Sequence, residues 1–264
     1  MKNRIDSLFE NLRAQGKKAL VTFLTFGDPD IETSKSLVLE MEKSGADLIE
    51  LGIPFTDPMA EGPVIQAANV RALKNEINLD IIFKAVAELR EVTQVPLVFL
   101  MYFNSLLSYG TERFFESCKN SGVDGVIIPD LPFEESDEIY DYTQKYGVYQ
   151  ISMVSPTSSE ERMKKICDRA KGFLYCVSSM GVTGAREGFS TDFDKMFAKL
   201  NSCSDIPKCI GFGISKPEHI SALKHYCDGL IVGSAIVKQV AAGKTPAEKI
   251  NNVKLKTQQL AAAL

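Results

Sequence analysis

The sequence predicts an α/β fold, a (β/α)₈ TIM barrel with an extra helix at each end. Three observations carry that expectation. Short apolar runs, often β-branched, recur along the chain, helical periodicities separate them, and several of those helices stop on a glycine just ahead of the next run. Continuous apolar strands suit a parallel sheet covered on both faces. Eight strand–helix units in about 250 residues match a closed barrel, with an open doubly wound sheet as the alternative.

In chain order, MKNRIDSLFENLRAQGKK is charged and amphipathic and lacks the apolar core of a signal peptide. The strand candidates follow: ALVTFLTF (19–26), ADLIELGI (46–53), VPLVFLMY (95–102), DGVIIPD (124–130), YQISMVS (149–155), GFLYCVS (172–178), PKCIGFGI (207–214) and DGLIVGSA (228–235). Between them Ile82, Val86 and Leu89 make a helical stripe. So do Met163, Ile166, Cys167 and Ala170, and Phe193, Met196, Phe197 and Leu200. The segments SGAD (44–47), SGVD (121–124), KYGV (145–148) and AKGF (170–173) place glycine where a helix ends in the left-handed conformation. NNVKLKTQQLAAAL closes the chain as a last helix on the outside. No linker, low-complexity tract or charge block divides residues 1–264, so the reading is one barrel domain.

Composition narrows the function. The net charge of −4 gives no electrostatic footprint for nucleic acid or an anionic membrane. Residues 92–111 are uncharged but interrupted by Gln94, Pro96 and Asn104, too short an apolar stretch to span a bilayer. The expectation is a soluble, cytoplasmic protein. Six cysteines without a CxxC pair read as reduced structural thiols, and His219 and His225 do not have a helical metal-ligand spacing, so no metal is expected.

Barrel active sites lie at the C-terminal ends of the strands, which draws attention to ELGIPFTDPMAEGPV (50–64). Glu50 ends an apolar run with no Lys or Arg nearby in sequence. A buried carboxylate of this kind either pairs with a distant cation or carries a raised pKa and serves as a general acid/base; the second reading is preferred. Asp57 and Glu61 follow in a loop stiffened by proline, and spacing alone leaves capping and catalysis equally open for them. Pro63 suits the first turn of a helix over PVIQAANVRAL. GFGIS (211–215) and VGSA (232–235) stand after strands seven and eight, where barrels commonly hold phosphate on backbone N–H groups. SSMGVTGAREGF (178–189) has the length and glycine content of a lid, with Thr183 and Gly184 as its contact residues.

Together ELGIPFTDPMAEGPVIQ (50–66), IIPDLP (127–132), GVTG (181–184), GFGIS (211–215) and VGSAIV (232–237) resemble the tryptophan synthase alpha chain family, over nearly the whole chain and in the same order. The resemblance implies a TIM barrel that cleaves indole-3-glycerol phosphate to indole and glyceraldehyde 3-phosphate without metal or organic cofactor. It implies a partner, the pyridoxal-phosphate-bearing beta chain, in an αββα complex. Residue by residue it makes Glu50 the general acid/base. It makes the acid at 61 the group that meets the ring N–H. Phe23, Leu100, Tyr102, Leu131, Phe212 and Ile231 would wall the indole pocket, Tyr175 would lie near the glycerol moiety, and Gly184, Gly213, Gly233 and Ser234 would hold the phosphate. Asp57, Pro58, Asn104 and Pro132 would face the beta chain. The family's second acid is an aspartate in A-D-G-P, and here the segment reads Ala60-Glu61-Gly62-Pro63. The departure motivates a second expectation, an alpha chain that acts mainly as an allosteric activator of its partner. A different phosphate-binding barrel enzyme is a further alternative; such enzymes usually need a lysine or a second aspartate at a strand end, and the strand ends here offer Glu50 and Asp130 but no obvious lysine.

Overall fold

The structure, a computed structural model, describes residues 2–178, 192–211 and 213–264. Its strands are β1 (Ala19–Thr25), β2 (Leu48–Gly52), β3 (Leu97–Leu100), β4 (Gly125–Ile127), β5 (Tyr149–Gln150), β6 (Ser152–Val154), β7 (Leu174–Val177), β8 (Lys208–Gly211) and β9 (Gly229–Val232). All pairings are parallel, in the order β5-β4-β3-β2-β1-β9-β8-β7-β6. The two ends of that order are consecutive in the chain and separated by Ile151 alone, so the sheet closes into a TIM barrel. The fifth apolar run of the sequence is thus one barrel strand in two pieces. Its first piece bonds to β4 and its second to β7.

Side-chain alternation divides the strands into two cores. Val21, Leu48, Val98, Ile127, Ile151, Tyr175, Cys209 and Ile231 pack together inside the barrel. Leu20, Ile49, Phe99, Val126, Leu174, Ile210 and Leu230 pack outward against the helices. Continuous apolar runs are the sequence signature of strands buried on both faces, and this is why they had no alternating polar positions.

The helices are α1 (Arg4–Ala14), α2 (Ile31–Lys43), α3 (Pro63–Leu73), α4 (Leu79–Arg90), α5 (Phe103–Tyr109), α6 (Thr111–Ser121), α7 (Asp137–Tyr146), α8 (Glu160–Arg169), α9 (Phe193–Cys203), α10 (Pro217–Leu223), α11 (Ser234–Ala242) and α12 (Pro246–Ala261). Glycines 45, 122, 147 and 172 all take positive φ at the helix-to-strand turns. The two terminal helices do different work. α12 lies outside against α2 and α11. α1 turns Ile5, Phe9 and Leu12 into the interior core and plugs one end of the barrel. Its Asn3 caps the helix by accepting from Ile5 N–H and donates to the Asp124 carbonyl.

The same plugged end carries a repeated device. Asp47, Asp124 and Asp228 stand just before β2, β4 and β9. Each donates its backbone N–H to a residue of a neighbouring strand segment, Leu20, Leu97 and Lys208 respectively, at 2.8–2.9 Å. Each carboxylate accepts that same residue's N–H in return, at 2.8, 2.9 and 3.0 Å. Asp124 is also bridged by Arg4 and Arg90. These two-point clasps fix strand register where the barrel starts, leaving the opposite end to loops.

Candidate active site

Glu50 is the middle residue of β2 and points inward, flanked by Phe23 on β1 and Val98 on β3. Inward glycines make room beside it. A Cβ on Gly52 would stand 2.5 Å from the Phe23 ring, and one on Gly211 would stand 2.5 Å from the Tyr175 hydroxyl. The aromatic rings occupy the space those side chains vacate.

Above Glu50 the chain leaves the strand through the proline-rich segment 53–62 and returns as α3. Side-chain bonds from outside help to hold that segment. Phe55 N–H donates to Asn69 Oδ1 (3.0 Å), Ala60 N–H to the Tyr102 hydroxyl (2.9 Å), and Gln66 Nε2 to the Glu61 carbonyl (2.8 Å). Phe55 also stacks on Tyr102, with ring centroids 5.0 Å apart. Pro63 opens α3 in its first turn, as expected. The result is that Glu61, in a loop, is only 4% exposed.

Glu50 and Glu61 face one cavity of about 50 Å³. Its apolar walls are Phe23, Leu100, Ile127, Met153, Tyr175 and Ile231. Gly213, after β8, and Gly233 and Ser234, where β9 runs into α11, also line it. First-turn N–H groups of a helix lack intrahelical acceptors, which suits an anion at Ser234.

The electrostatics follow from burial. Glu50 is 1% exposed, and its Oε1 has no hydrogen-bond partner. Burial first, and the neighbouring Glu61 charge second, push its carboxyl up from 4.5 to about 8. Among the described residues no Lys or Arg pairs with it. The site therefore holds a carboxylic acid that keeps its proton at neutral pH. Burial, then Glu50 and Glu61, raise the Tyr175 hydroxyl well above its ordinary value, so it stays protonated. Burial and Glu61 push Tyr102 up to about 12.

Of the residues singled out in the sequence, Glu50, Glu61, Phe23, Leu100, Tyr175, Gly213, Ile231, Gly233 and Ser234 converge on this cavity. Tyr102 stands behind it as a support for Ala60. Leu131 lines a neighbouring groove of about 320 Å³ between α7 and α8, with Pro132 beside it. Thr183, Gly184 and Phe212 lie outside the described residues, as does most of the 178–189 segment. Asp57, Asn104 and Pro132 are exposed and Pro58 is half-buried on the loop-bearing end, next to Met59, which is 79% exposed. Asp130, the other strand-end acid, accepts the Phe103 N–H at the start of α5. Ala60, Ile65, Ile127, Pro129, Met153 and Ile214 also line the cavity and were not anticipated. For Ile127 a signal existed, since its position in the fourth run shares inward parity; for Met153 the split in the fifth strand hid it.

All six cysteines are free, and no group of His, Cys, Asp or Glu among the described residues is arranged to hold a metal. No described helix is long and apolar enough to cross a membrane.

Residues 9–264 match the family model "Tryptophan synthase alpha chain". The chain is 50% identical over 252 residues to the tryptophan synthase alpha chain of Caldanaerobacter subterraneus subsp. tengcongensis, covering 96% of each. It is 48% identical over 253 residues to that of Alkaliphilus metalliredigens, covering 96% of this chain and 95% of the relative. Among solved structures, tryptophan synthase subunit alpha from Legionella pneumophila superposes with a TM-score of 0.88 at 36% identity, covering 100% of this chain and 98% of that one. A chain of Mycobacterium tuberculosis tryptophan synthase superposes at 0.90 with 30% identity, covering 100% and 98%.

Proposed function

Because the chain belongs to the tryptophan synthase alpha chain family, we propose that the Glu50 cavity is where it performs that family's reaction, with Glu50 and Glu61 as the catalytic pair. The reaction is the lyase cleavage of indole-3-glycerol phosphate, and it belongs to tryptophan biosynthesis. Alpha chains use no cofactor of their own. They assemble with a beta chain, which carries the pyridoxal phosphate.

The observation that carries the assignment is a neutral, unpartnered glutamic acid facing a second carboxylate in an apolar cavity. Carbon–carbon cleavage must leave an electron pair on the indole ring. Glu50 delivers its proton to the ring carbon that bears the glycerol chain, which makes the ring an iminium-like electron acceptor. Positive charge develops at the ring nitrogen, and the Glu61 carboxylate accepts a hydrogen bond from that N–H. The glycerol hydroxyl beside the ring then gives up its proton to the Glu50 carboxylate as the C–C bond breaks. Its electrons return to the ring, so the acid is regenerated and no redox partner is needed.

Phe23, Leu100 and Ile231 hold the indole plane, with Tyr102 behind Ala60. Tyr175, a protonated donor, serves the glycerol oxygens. Gly213, Gly233 and Ser234 bind the phosphate. Asp57, Pro58, Asn104 and Pro132 face the beta chain, and the enzyme works in the cytoplasm.

The test is indole release from indole-3-glycerol phosphate by the purified chain, with and without a beta chain. Release that rises with the partner is expected. No release in either condition, with the beta chain still activated, would replace this reading with the allosteric-module alternative.

A further inference from the structure

We propose that Asn69 is a positioning residue for the reaction: through its side-chain amide it ties the start of the 53–62 segment to α3 and so sets where the Glu61 carboxylate stands against Glu50. The proposal rests on the roles given above to Glu50 and Glu61.

Asn69 sits in the middle of α3, where asparagine is a poor helix former because its side chain competes for backbone groups. It is 5% exposed, so its amide must be satisfied internally. Both ends are. Oδ1 accepts from Phe55 N–H at 3.0 Å and Nδ2 donates to the Ile65 carbonyl at 3.0 Å. The donation to its own helix fixes which way round the amide lies, since a flipped amide would lose both bonds. The oxygen is thereby aimed at the loop. Ala68 and Ala72 lie fully buried on the same helix, so a small apolar residue would fit at 69 as far as packing is concerned.

Phe55 and Asn69 are fourteen residues apart, and Glu61 lies between them. Their hydrogen bond closes the loop and the first turns of α3 into a ring with the acid inside it. Further anchors act later along the loop, at Ala60 and at the Glu61 carbonyl. Of the two bonds supplied by α3 side chains, one comes from exposed Gln66 and the other from buried Asn69. Ile53 N–H is taken by the Leu100 carbonyl and Pro54 has no N–H, so Phe55 is the first donor the loop offers after the strand. Far along the same helix, Arg71 makes a bidentate pair with buried Asp28 at 2.8 and 2.7 Å, which holds α3 to the loop after β1. The helix is thus a fixed post, and Asn69 is the hook on it. A displacement of an ångström at a catalytic group is enough to cost about a hundredfold in rate.

Among the described residues, the titratable groups facing Glu50 are Glu61 on this loop, Tyr175 on β7 and Cys209 on β8, while Tyr102 faces Glu61. Of these, Glu61 moves if the ring opens.

The experiment compares Asn69→Ala and Asn69→Asp, the second of which keeps an acceptor for Phe55 N–H, in the full chain with its beta chain. It reads kcat and KM for indole release, and separately the ¹³C titration midpoint of the Glu50 carboxyl. Expected for Asn69→Ala is a fall in kcat of about 10- to 100-fold with KM within about threefold, and a lower Glu50 midpoint because Glu61 has drawn away. Asn69→Asp should recover most of kcat and keep the midpoint near wild type. Wild-type kcat and midpoint in Asn69→Ala would overturn the proposal, as would equal losses in both variants. If Asn69→Ala does not fold, a lowered midpoint in Asn69→Asp overturns it by itself. Absence of cleavage in the wild type, with the midpoint still lower in Asn69→Ala, would sink the assigned reaction and leave the positioning role standing.

Discussion

Replacing Glu50 with glutamine should make the protein more tolerant of alkaline conditions while destroying its chemistry. The side chain is 1% exposed and its carboxyl is pushed from 4.5 to about 8, chiefly by burial and then by Glu61. In the unfolded chain it titrates near its ordinary value. Below pH 4.5 both states hold the proton and Glu50 does not affect stability. Between pH 4.5 and about 8 the unfolded state releases the proton and the folded state keeps it, so folding stability falls as pH rises. At about 1.4 kcal/mol per pH unit the loss is about 3 kcal/mol at pH 7 and levels off near 5 kcal/mol above pH 8, as orders of magnitude. Glutamine has the same shape and no proton to lose. Its buried amide adds an unsatisfied donor costing about 1–3 kcal/mol, but that offset is the same at every pH. The assay is urea unfolding of both proteins from pH 5 to 8.5, reading the difference between the two stability curves. The difference should move by several kcal/mol in the variant's favour across that range. Curves that run parallel would mean that Glu50 titrates normally in the folded protein, and the acid role would fail with it. Indole release by the variant should fall by about 100- to 10,000-fold, the usual worth of a general acid.

Two other perturbations test the frame around that acid. Glu61→Asp withdraws the second carboxylate by one methylene; cleavage should be retained or rise, and the Glu50 midpoint should move down because the neighbouring charge recedes. A loss beyond about a hundredfold would show that the loop is built around the longer side chain. Asp124→Ala removes an acceptor from Leu97 N–H and the partner of Arg90, whose side chain is 9% exposed. Leaving a charge of this kind unpaired costs about 3–5 kcal/mol, visible as a drop in Tm of roughly 10 °C. A loss under about 1 kcal/mol would show that the clasp is dispensable.

Most of the barrel was legible in the sequence because both faces of its strands are buried. Leu20 and Val21, or Leu48 and Ile49, serve different cores from adjacent positions, and that demand leaves an unbroken apolar run. The helix-ending glycines were legible for an equally local reason, positive φ. Glu50 stood out as an acid in such a run. What remained hidden depends on distance in the chain. Whether Glu50 has a cation partner is a question about every residue that folding brings near it. That Tyr102 supports Ala60 from forty-two positions away has no trace in local pattern. Asn69 looked like an ordinary helical residue, since its meaning lies in a bond to Phe55. The break at Ile151 was equally hidden, because strand continuity is set by the neighbours on either side.

The α1 plug has a consequence for traffic. With Ile5, Phe9 and Leu12 seated in the lower interior, the barrel is a blind vessel, and Glu50 lies between its floor and its mouth. Among the described residues, the approach to Glu50 is then from the mouth, whose rim includes the loop that carries Met59 and Asp57. A protein bound over that rim would govern entry, exit and hydration together. It needs no lever reaching into the barrel, because a stopper at the neck suffices.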